Sequence, residues 1–392
     1  MRILLVNKFY YRRGGDCVHA MELEKLLKAH GHEVAFYSMQ FPLNEKSVWD
    51  SYFRSEVSVS PRKIIPFLRM FKSPYGDKNT IKTFSKILDD FKPDVVHLHN
   101  IHTSISPIVA EIAHKKGIKV VWTLHDYKLI CPSYGLYYCG KTCEDCIGKS
   151  KKYALKKKCL KNNLVASWIG YKEAVCWNKQ RLEQCTDAFI CPSSFMKEKM
   201  MADGFAEEKL IHLCNFTELP EIHNEIERKK QYCFIGRLTK IKGVETLLEA
   251  ASNLPYDLFV LGTGDLETIL REKYKGYSQI HFLGHQTKEK CLTTLQESLF
   301  SVMSSECFDN NPLSVIESLC VGTPVLGSKI GGVPELIQEN ETGKLFTPGN
   351  IDELKKAINN MMESPLKFDI NIERNKFSSE SYYQKLMEIY RG

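Results

Sequence analysis

Short apolar runs alternate with amphipathic stretches from the first residues onward. "RILLV" at 2–6 leads into a glycine turn and then "CVHAMELEKLLKAHGHEV", whose apolar positions recur at helical spacing; Gly31 closes that helix and "EVAFYSM" follows as a strand. The alternation continues through "DVVHLHN", a helix around Ile108–Lys116, "IKVVWTLHD", and "DAFICPSS" with a helix from about Phe195. Strands that alternate with helices predict a parallel sheet covered by helices on both faces. Residues 216–231, "FTELPEIHNEIERKKQ", are polar, contain a proline and read as a linker. The pattern then restarts with "YCFIGRL", "DLFVLGTG", "IHFLG", "LFSVMSS" and "PVLGS", each followed by a helical or turn segment. The fold class is therefore α/β, with two Rossmann-like, doubly wound parallel-sheet domains at 1–215 and 216–376. The tail "FSSESYYQKLMEIYRG" predicts a last helix over 377–392. Loops at the carboxyl ends of two open parallel sheets predict a cleft for a nucleotide-sized ligand.

Composition narrows this picture. A chain of 392 residues exceeds what one core usually fills, and 43% hydrophobic with 26% charged residues suits a globular protein. No apolar run reaches membrane-spanning length, and the start lacks the features of a secretory signal, so a cytoplasmic location is expected. The net charge of +7 suits an anionic ligand or an acidic membrane surface.

Several loops carry candidate chemistry. In "GRLTKIKG" a strand ends at Arg237, and Lys242 stands just before Gly243 opens a helix. Two cations and a helix N-terminus then converge on one spot, an arrangement that stabilises a diphosphate. Gly14 and Gly15 after the first strand allow a ligand to approach the backbone closely. They do not form the spaced glycine fingerprint of dinucleotide enzymes, nor does "GTGD" at 262–265. His125 ends a strand, where it could meet a sugar hydroxyl or buffer a proton. His97 and His99 are expected to point to opposite faces of their strand, and to share a metal only where the strand twists or ends. Asn311 and Pro312 predict an N-cap and first-turn proline for a helix running to Gly322, with Glu317 inside it, Asp309 in the loop before it and Glu306 at the strand end.

Among the fourteen cysteines, most read as small buried hydrophobes, and one group is tightly spaced. Cys131, Cys139, Cys143, Cys146 and Cys159 offer four of five thiolates for a structural Zn²⁺, the alternative being buried or free thiols. The insert spanning 131–161 ends in seven lysines within 149–161, either a solvated face or a contact for anionic lipid headgroups. "PRKIIPFLRMFK" at 61–72 mixes basic and apolar residues in the same way.

Together, "GG" at 14–15, "GHEV" at 31–34, "TLHD" at 123–126, "GRLTKIKG" at 236–243, "LGTGDLE" at 261–267, "FLG" at 282–284, "ESLCVGTPVLGSKIGGVPELI" at 317–337 and "TGKLFTPGN" at 342–350 carry a resemblance. In order and spacing the chain resembles a retaining GT-B glycosyltransferase of family 4 (glycosyl transferases group 1) over nearly its whole length. The resemblance implies two domains facing across a cleft, and transfer of a sugar from a nucleoside-diphosphate donor to a glycan or lipid-linked acceptor in bacterial surface polysaccharide or glycoconjugate assembly. It implies no catalytic metal and no nucleic-acid partner, with peripheral association on the inner face of the membrane as a further expectation. Arg237 and Lys242 match its diphosphate pair, His125 its active-site histidine, and Asp309 with Glu317 its two acids with seven residues between them, Asp standing where Glu is usual. Donor contacts are assigned to Gly14, Gly15, Asn310, Asn311, Pro312 and Leu313, and the last helix matches one that crosses back onto the N-terminal, acceptor-side domain. Cys17 stands where members often have glutamate. Two rivals make different predictions: a non-hydrolysing sugar-nucleotide epimerase would need no acceptor, and a zinc-bearing nucleic-acid-binding protein would leave the second domain unused.

Overall fold

The computed structural model describes residues 1–57, 64–219, 221–222 and 226–392. Pro61–Lys63 of the basic and apolar stretch, and Pro220 and His223–Glu225 of the linker, lie outside the described residues. The chain forms two compact units, one of Met1–Leu136, Cys143–Cys214 and Tyr382–Gly392, the other of Tyr137–Thr142 and Asn215–Ser381. The sequence reading puts the junctions at 216 and 377.

The strands, in chain order, are β1 (Arg2–Val6), β2 (Glu33–Tyr37), β3 (Val95–Leu98), β4 (Lys119–Thr123), β5 (Tyr137–Tyr138), β6 (Lys141–Thr142), β7 (Ala188–Cys191), β8 (Leu210–His212), β9 (Lys229–Ile235), β10 (Asp257–Leu261), β11 (Ile280–Gly284), β12 (Ser298–Met303), β13 (Val325–Ser328) and β14 (Gly343–Phe346). The first unit carries a parallel sheet in the order β2-β1-β3-β4-β7-β8, and the second a parallel sheet in the order β11-β10-β9-β12-β13-β14. β5 and β6 form a separate antiparallel hairpin. Strand order reverses between β1 and β3 in the first sheet and between β9 and β12 in the second. Those reversals open the crevices where ligands of doubly wound sheets bind.

Continuous apolar strands follow from burial on both faces. In the second unit Tyr232 and Phe234 pack with the helices Val244–Ala251 and Ile351–Glu363, while the intervening Cys233 and Ile235 pack with Leu295 and Val321 on the opposite face. Helix starts are fixed by side-chain caps: Asp77 accepts from Thr80 N, Asn163 from Ala166 N and Ser193 from Met196 N. The last helix, Ser379–Arg391, buries Tyr382, Leu386, Met387 and Tyr390, spaced to lie along one stripe.

Two expectations are corrected here. His97 and His99 do not face apart: their rings stack with centroids 4.5 Å apart, because residues two apart share a strand face and β3 ends at Leu98. The helix after β12 spans Leu313–Cys320, with Pro312 rather than Asn311 in the cap position. Asn311 is drawn away from that role by Asn215, whose backbone N–H donates to Asn311 Oδ1 (3.0 Å) and whose Nδ2 donates to its carbonyl (2.9 Å).

Candidate active site

In the second unit the loops after β9 and β12 flank the strand-order reversal and are stitched together. Glu306 N–H donates to Ile241 O (2.9 Å), and Ser304 Oγ donates to Lys242 O (2.9 Å). Gly243 sits at the junction with φ +60°, and a Cβ there would lie 1.8 Å from Ser304 O. The loop after β10 backs onto the same structure, since a Cβ at Gly262 would lie 1.9 Å from Gly236 O and one at Gly264 2.4 Å from Leu238 O. The glycines of "GTG" thus serve close packing of two loops.

Within this frame Lys242 Nζ donates to both carboxylate oxygens of Asp309, at 2.6 and 2.8 Å, and Ser305 Oγ also donates to Asp309. The Asp309 backbone is clamped by "GG" of 331–332: Gly332 N–H donates to its carbonyl at 2.7 Å, and a Cβ at Gly331 would meet the same oxygen at 2.4 Å. Arg237 is exposed and makes no ion pair among the described residues. The two cations therefore differ, one already neutralised and one available. Glu317, inside the helix Leu313–Cys320, has Lys288 Nζ at 4.0 Å. Asn310 and Leu313 flank the buried Asn311, partly exposed at the helix start.

Glu306 has a different role, accepting a hydrogen bond from Thr246 Oγ1 at 2.6 Å. It ties the turn Lys240–Lys242 to the helix that follows. Glu306→Gln keeps an acceptor for Thr246 and is expected to leave stability within about 0.5 kcal/mol, with turnover near that of the wild type. Melting curves and steady-state kinetics check this; a loss like that of Asp309→Asn would move Glu306 into the ligand site.

In the first unit the loops after β1, β3 and β4 converge. Gly14 precedes the helix Gly15–Ala29, and a Cβ on Gly15 would meet nothing within 4 Å. Neither φ nor packing within the chain demands glycine at 15. Asp16 beside it accepts from Asn100 Nδ2 at 2.8 Å. Although burial opposes it, the carboxyl of Asp16 is held below its ordinary range by Lys8, His125, the Asn100 amide and the Cys17 N–H. Half-buried His125 hydrogen-bonds through Nε2 with His99 Nδ1 at 2.9 Å. Burial pushes its imidazole down to about 4, against the pull of Asp16 and with help from Lys8.

Sequence reading missed the partners of this group. His19, on the first helix, has ring centroids 5.8 Å from His99 and 5.2 Å from His125. Tyr382 and Tyr390 of the last helix reach His19 Nε2 (3.3 Å) and His97 Nδ1 (2.5 Å), and His97 Nε2 pairs with Thr123 Oγ1 at 2.7 Å. The only signal for His19 was its place one turn after Gly15, on the face of the helix that also buries Leu23.

The cysteines divide. Cys139 is exposed, Cys131 and Cys146 are buried, and Cys143 and Cys159 are intermediate. Burial pushes Cys146 up to about 12 and Cys159 up to about 11, and Cys131 and Cys143 add to both shifts, so these four thiols are neighbours. No three of them bring their sulfurs within 4.8 Å of one another. Of the lysines at 149–161, Lys151 is turned inward onto Ile130 O, Cys146 O and Asp203, and Lys157 pairs with Asp145. Lys149, Lys152, Lys156, Lys158 and Lys161 are exposed.

Comparison with known proteins bears on this arrangement. Residues 13–219 match the family model for Glycosyltransferase Family 4, and residues 215–383 match Glycosyl transferases group 1. N-acetyl-alpha-D-glucosaminyl L-malate synthase of Bacillus anthracis is 23% identical over 89% of this chain and 85% of its own. The O-antigen biosynthesis glycosyltransferase WbnH of Escherichia coli is 30% identical over 43% of this chain and 49% of its own. Among solved structures, Anabaena HepE in complex with UDP and glucose superposes with a TM-score of 0.71 at 15% identity, covering 99% of each chain. Sucrose-phosphate synthase from Thermosynechococcus elongatus gives 0.70 at 16% identity, covering 100% of this chain and 98% of its own. One family model spans more than half of the chain and the other takes up where it ends, so the chain belongs to glycosyltransferase family 4 and has the GT-B fold, with one Rossmann-like sheet in each unit.

Proposed function

We propose that the protein is a retaining, metal-independent transferase that moves a sugar from a nucleoside diphosphate to a glycan or lipid-linked acceptor. The observation that carries this reading is the pair of loops at the strand-order reversal of the second sheet, where Arg237 is available and Lys242 is held by Asp309. Cations and helix N-termini at that crevice stabilise the negative charge that grows on a departing diphosphate. In the proposed step the bond from the anomeric carbon to phosphate oxygen breaks while the bond to the acceptor oxygen forms on the same face. The acceptor proton passes to the leaving phosphate. Asp309 and Glu317 hold sugar hydroxyls of the donor, and His125, kept neutral by burial, lies beside the donor sugar. The solved HepE complex with UDP and glucose supports a donor of this class, and the name of WbnH supports a setting in surface polysaccharide assembly.

Two further parts belong to the proposal. Peripheral attachment to an anionic membrane from the cytoplasmic side is supported by the helix Leu164–Cys176, which exposes Leu164 (56%), Val165 (55%), Trp168 (45%) and Val175 (48%) close in sequence to the exposed lysines. A structural Zn²⁺ would fall to Cys131, Cys143, Cys146 and Cys159, leaving out the exposed Cys139.

A thermal-shift series with UDP-, GDP- and ADP-sugars tests the reading. A true donor at roughly 100 times its Kd should stabilise the protein by about 2.7 kcal/mol. Absence of any shift would overturn the donor assignment, and a product of inverted anomeric configuration by NMR would overturn retention.

A further inference from the structure

We propose that His19, His99 and His125 form a binding site for one divalent transition-metal ion of the zinc, cobalt or nickel type. Each offers an imidazole nitrogen, and the three nitrogens lie within 4.8 Å of one another. Among the described residues no other group of histidine, cysteine or carboxylate side chains brings three ligand atoms so close. The three come from separate elements, the helix Gly15–Ala29 and the ends of β3 and β4, so the fold rather than local sequence assembles them.

Hydrogen bonding inside the cluster leaves part of it unexplained. His99 spends Nδ1 on His125 Nε2, yet His99 Nε2 is buried without a hydrogen-bond partner, and the residue is fully enclosed. A buried polar atom of that kind costs free energy unless something else meets it. Metal–imidazole bonds of about 2.0–2.1 Å require the nitrogens to draw together by side-chain rotation. Burial holds all three imidazoles below their ordinary pKa, so they are neutral, ligand-competent rings near pH 7. With His99 Nε2 as ligand atom the His99 proton stays on Nδ1, and His125 ligates through Nε2 once ring rotation parts the two rings, its own proton on Nδ1, so no proton leaves the protein. Asp16 supplies nearby negative charge on the His125 side, and Lys8 opposes it. Outer support comes from Tyr382 on His19 and from His97 stacked on His99. Three protein ligands leave a fourth position open. Inhibition of transfer by the bound ion rests on the role proposed above for His125; binding itself does not.

The test is titration of the full-length protein with Co²⁺ alone, followed by absorption spectroscopy and by calorimetry in two buffers of different ionisation enthalpy. The expected result, read in the Cys143→Ser/Cys146→Ser protein so that the thiols do not contribute, is one ion per chain with visible d–d bands, no sulfur-to-cobalt charge transfer and no proton release. His19→Gln should weaken binding by more than the roughly 10–100-fold that follows loss of an outer-shell partner, and Cys143→Ser with Cys146→Ser should leave it unchanged. Loss of all Co²⁺ binding in the cysteine double variant would assign the ion to the thiols and overturn the proposal. Failure to bind at millimolar Co²⁺ would also overturn it. Should His19→Gln fail to fold by circular dichroism, His125→Gln at the partly exposed edge of the cluster gives the same readout, and unchanged affinity there counts against the site.

Discussion

Lys242→Ala is expected to lower kcat/KM for sugar transfer by about 10²–10³. The lysine is held 2.6 and 2.8 Å from the two oxygens of Asp309, in a loop whose backbone is bonded to the neighbouring one on either side. On the proposed function, removing it deletes a cation beside the leaving group and also strands a partly enclosed carboxylate, which adds repulsion toward any diphosphate. Asp309→Asn should separate these effects. It releases Lys242 and removes the negative charge, so donor KM should hold or fall, while on the proposed function kcat drops because the sugar loses the carboxylate proposed to hold it. Since the two side chains share one ion pair, the double variant should lose much less than the product of the single losses. Steady-state kinetics with donor varied at fixed acceptor measure all three. Fully multiplicative losses would show that Lys242 and Asp309 act on separate parts of the reaction.

Gly243→Ala is expected to destabilise the protein by about 3 kcal/mol or more and to lower the soluble yield. The residue holds φ +60° and ψ 24°, a left-handed conformation that disfavours any side chain with a Cβ. The larger penalty is contact with Ser304 O at 1.8 Å, because a Cβ cannot rotate away and two backbones must part. Their separation breaks the Glu306–Ile241 and Ser304–Lys242 hydrogen bonds, and with them the placement of Lys242. Urea melts read the loss directly. Gly15→Ala is the matched control: with nothing within 4 Å of its Cβ it should alter stability by no more than about 0.5 kcal/mol. A fall in donor affinity there would report a ligand approaching the helix start.

The apolar runs were enough to read two doubly wound units, because a strand buried on both faces shows itself as an unbroken hydrophobic stretch. Which strands are neighbours was not legible, since every central strand looks alike in hydrophobicity, and the crevices depend on that order. Arg237, Lys242 and Asp309 could be singled out from their positions at loop ends and from family spacing. Their ion pair could not, because it depends on how two loops some sixty residues apart are seated together. "GTG" at 262–264 carried no ligand signal, and its reason lies in packing against Gly236 and Leu238 that only three dimensions reveal. The reading of His97 and His99 failed on a matter of period, as alternate strand residues share a face. Asn311 has the right identity for a cap and was overridden by a better-buried partner, Asn215.

Tyr382 and Tyr390 have a consequence for the order of events at the ribosome. The unit that begins with Met1 is finished by residues at the far end of the chain, which hydrogen-bond to His19 and His97. During synthesis the first sheet can collapse early, but the second unit must be translated before those histidines meet their phenols. Nascent or prematurely stopped chains therefore carry an open seam in their first domain, and quality-control factors would encounter it there.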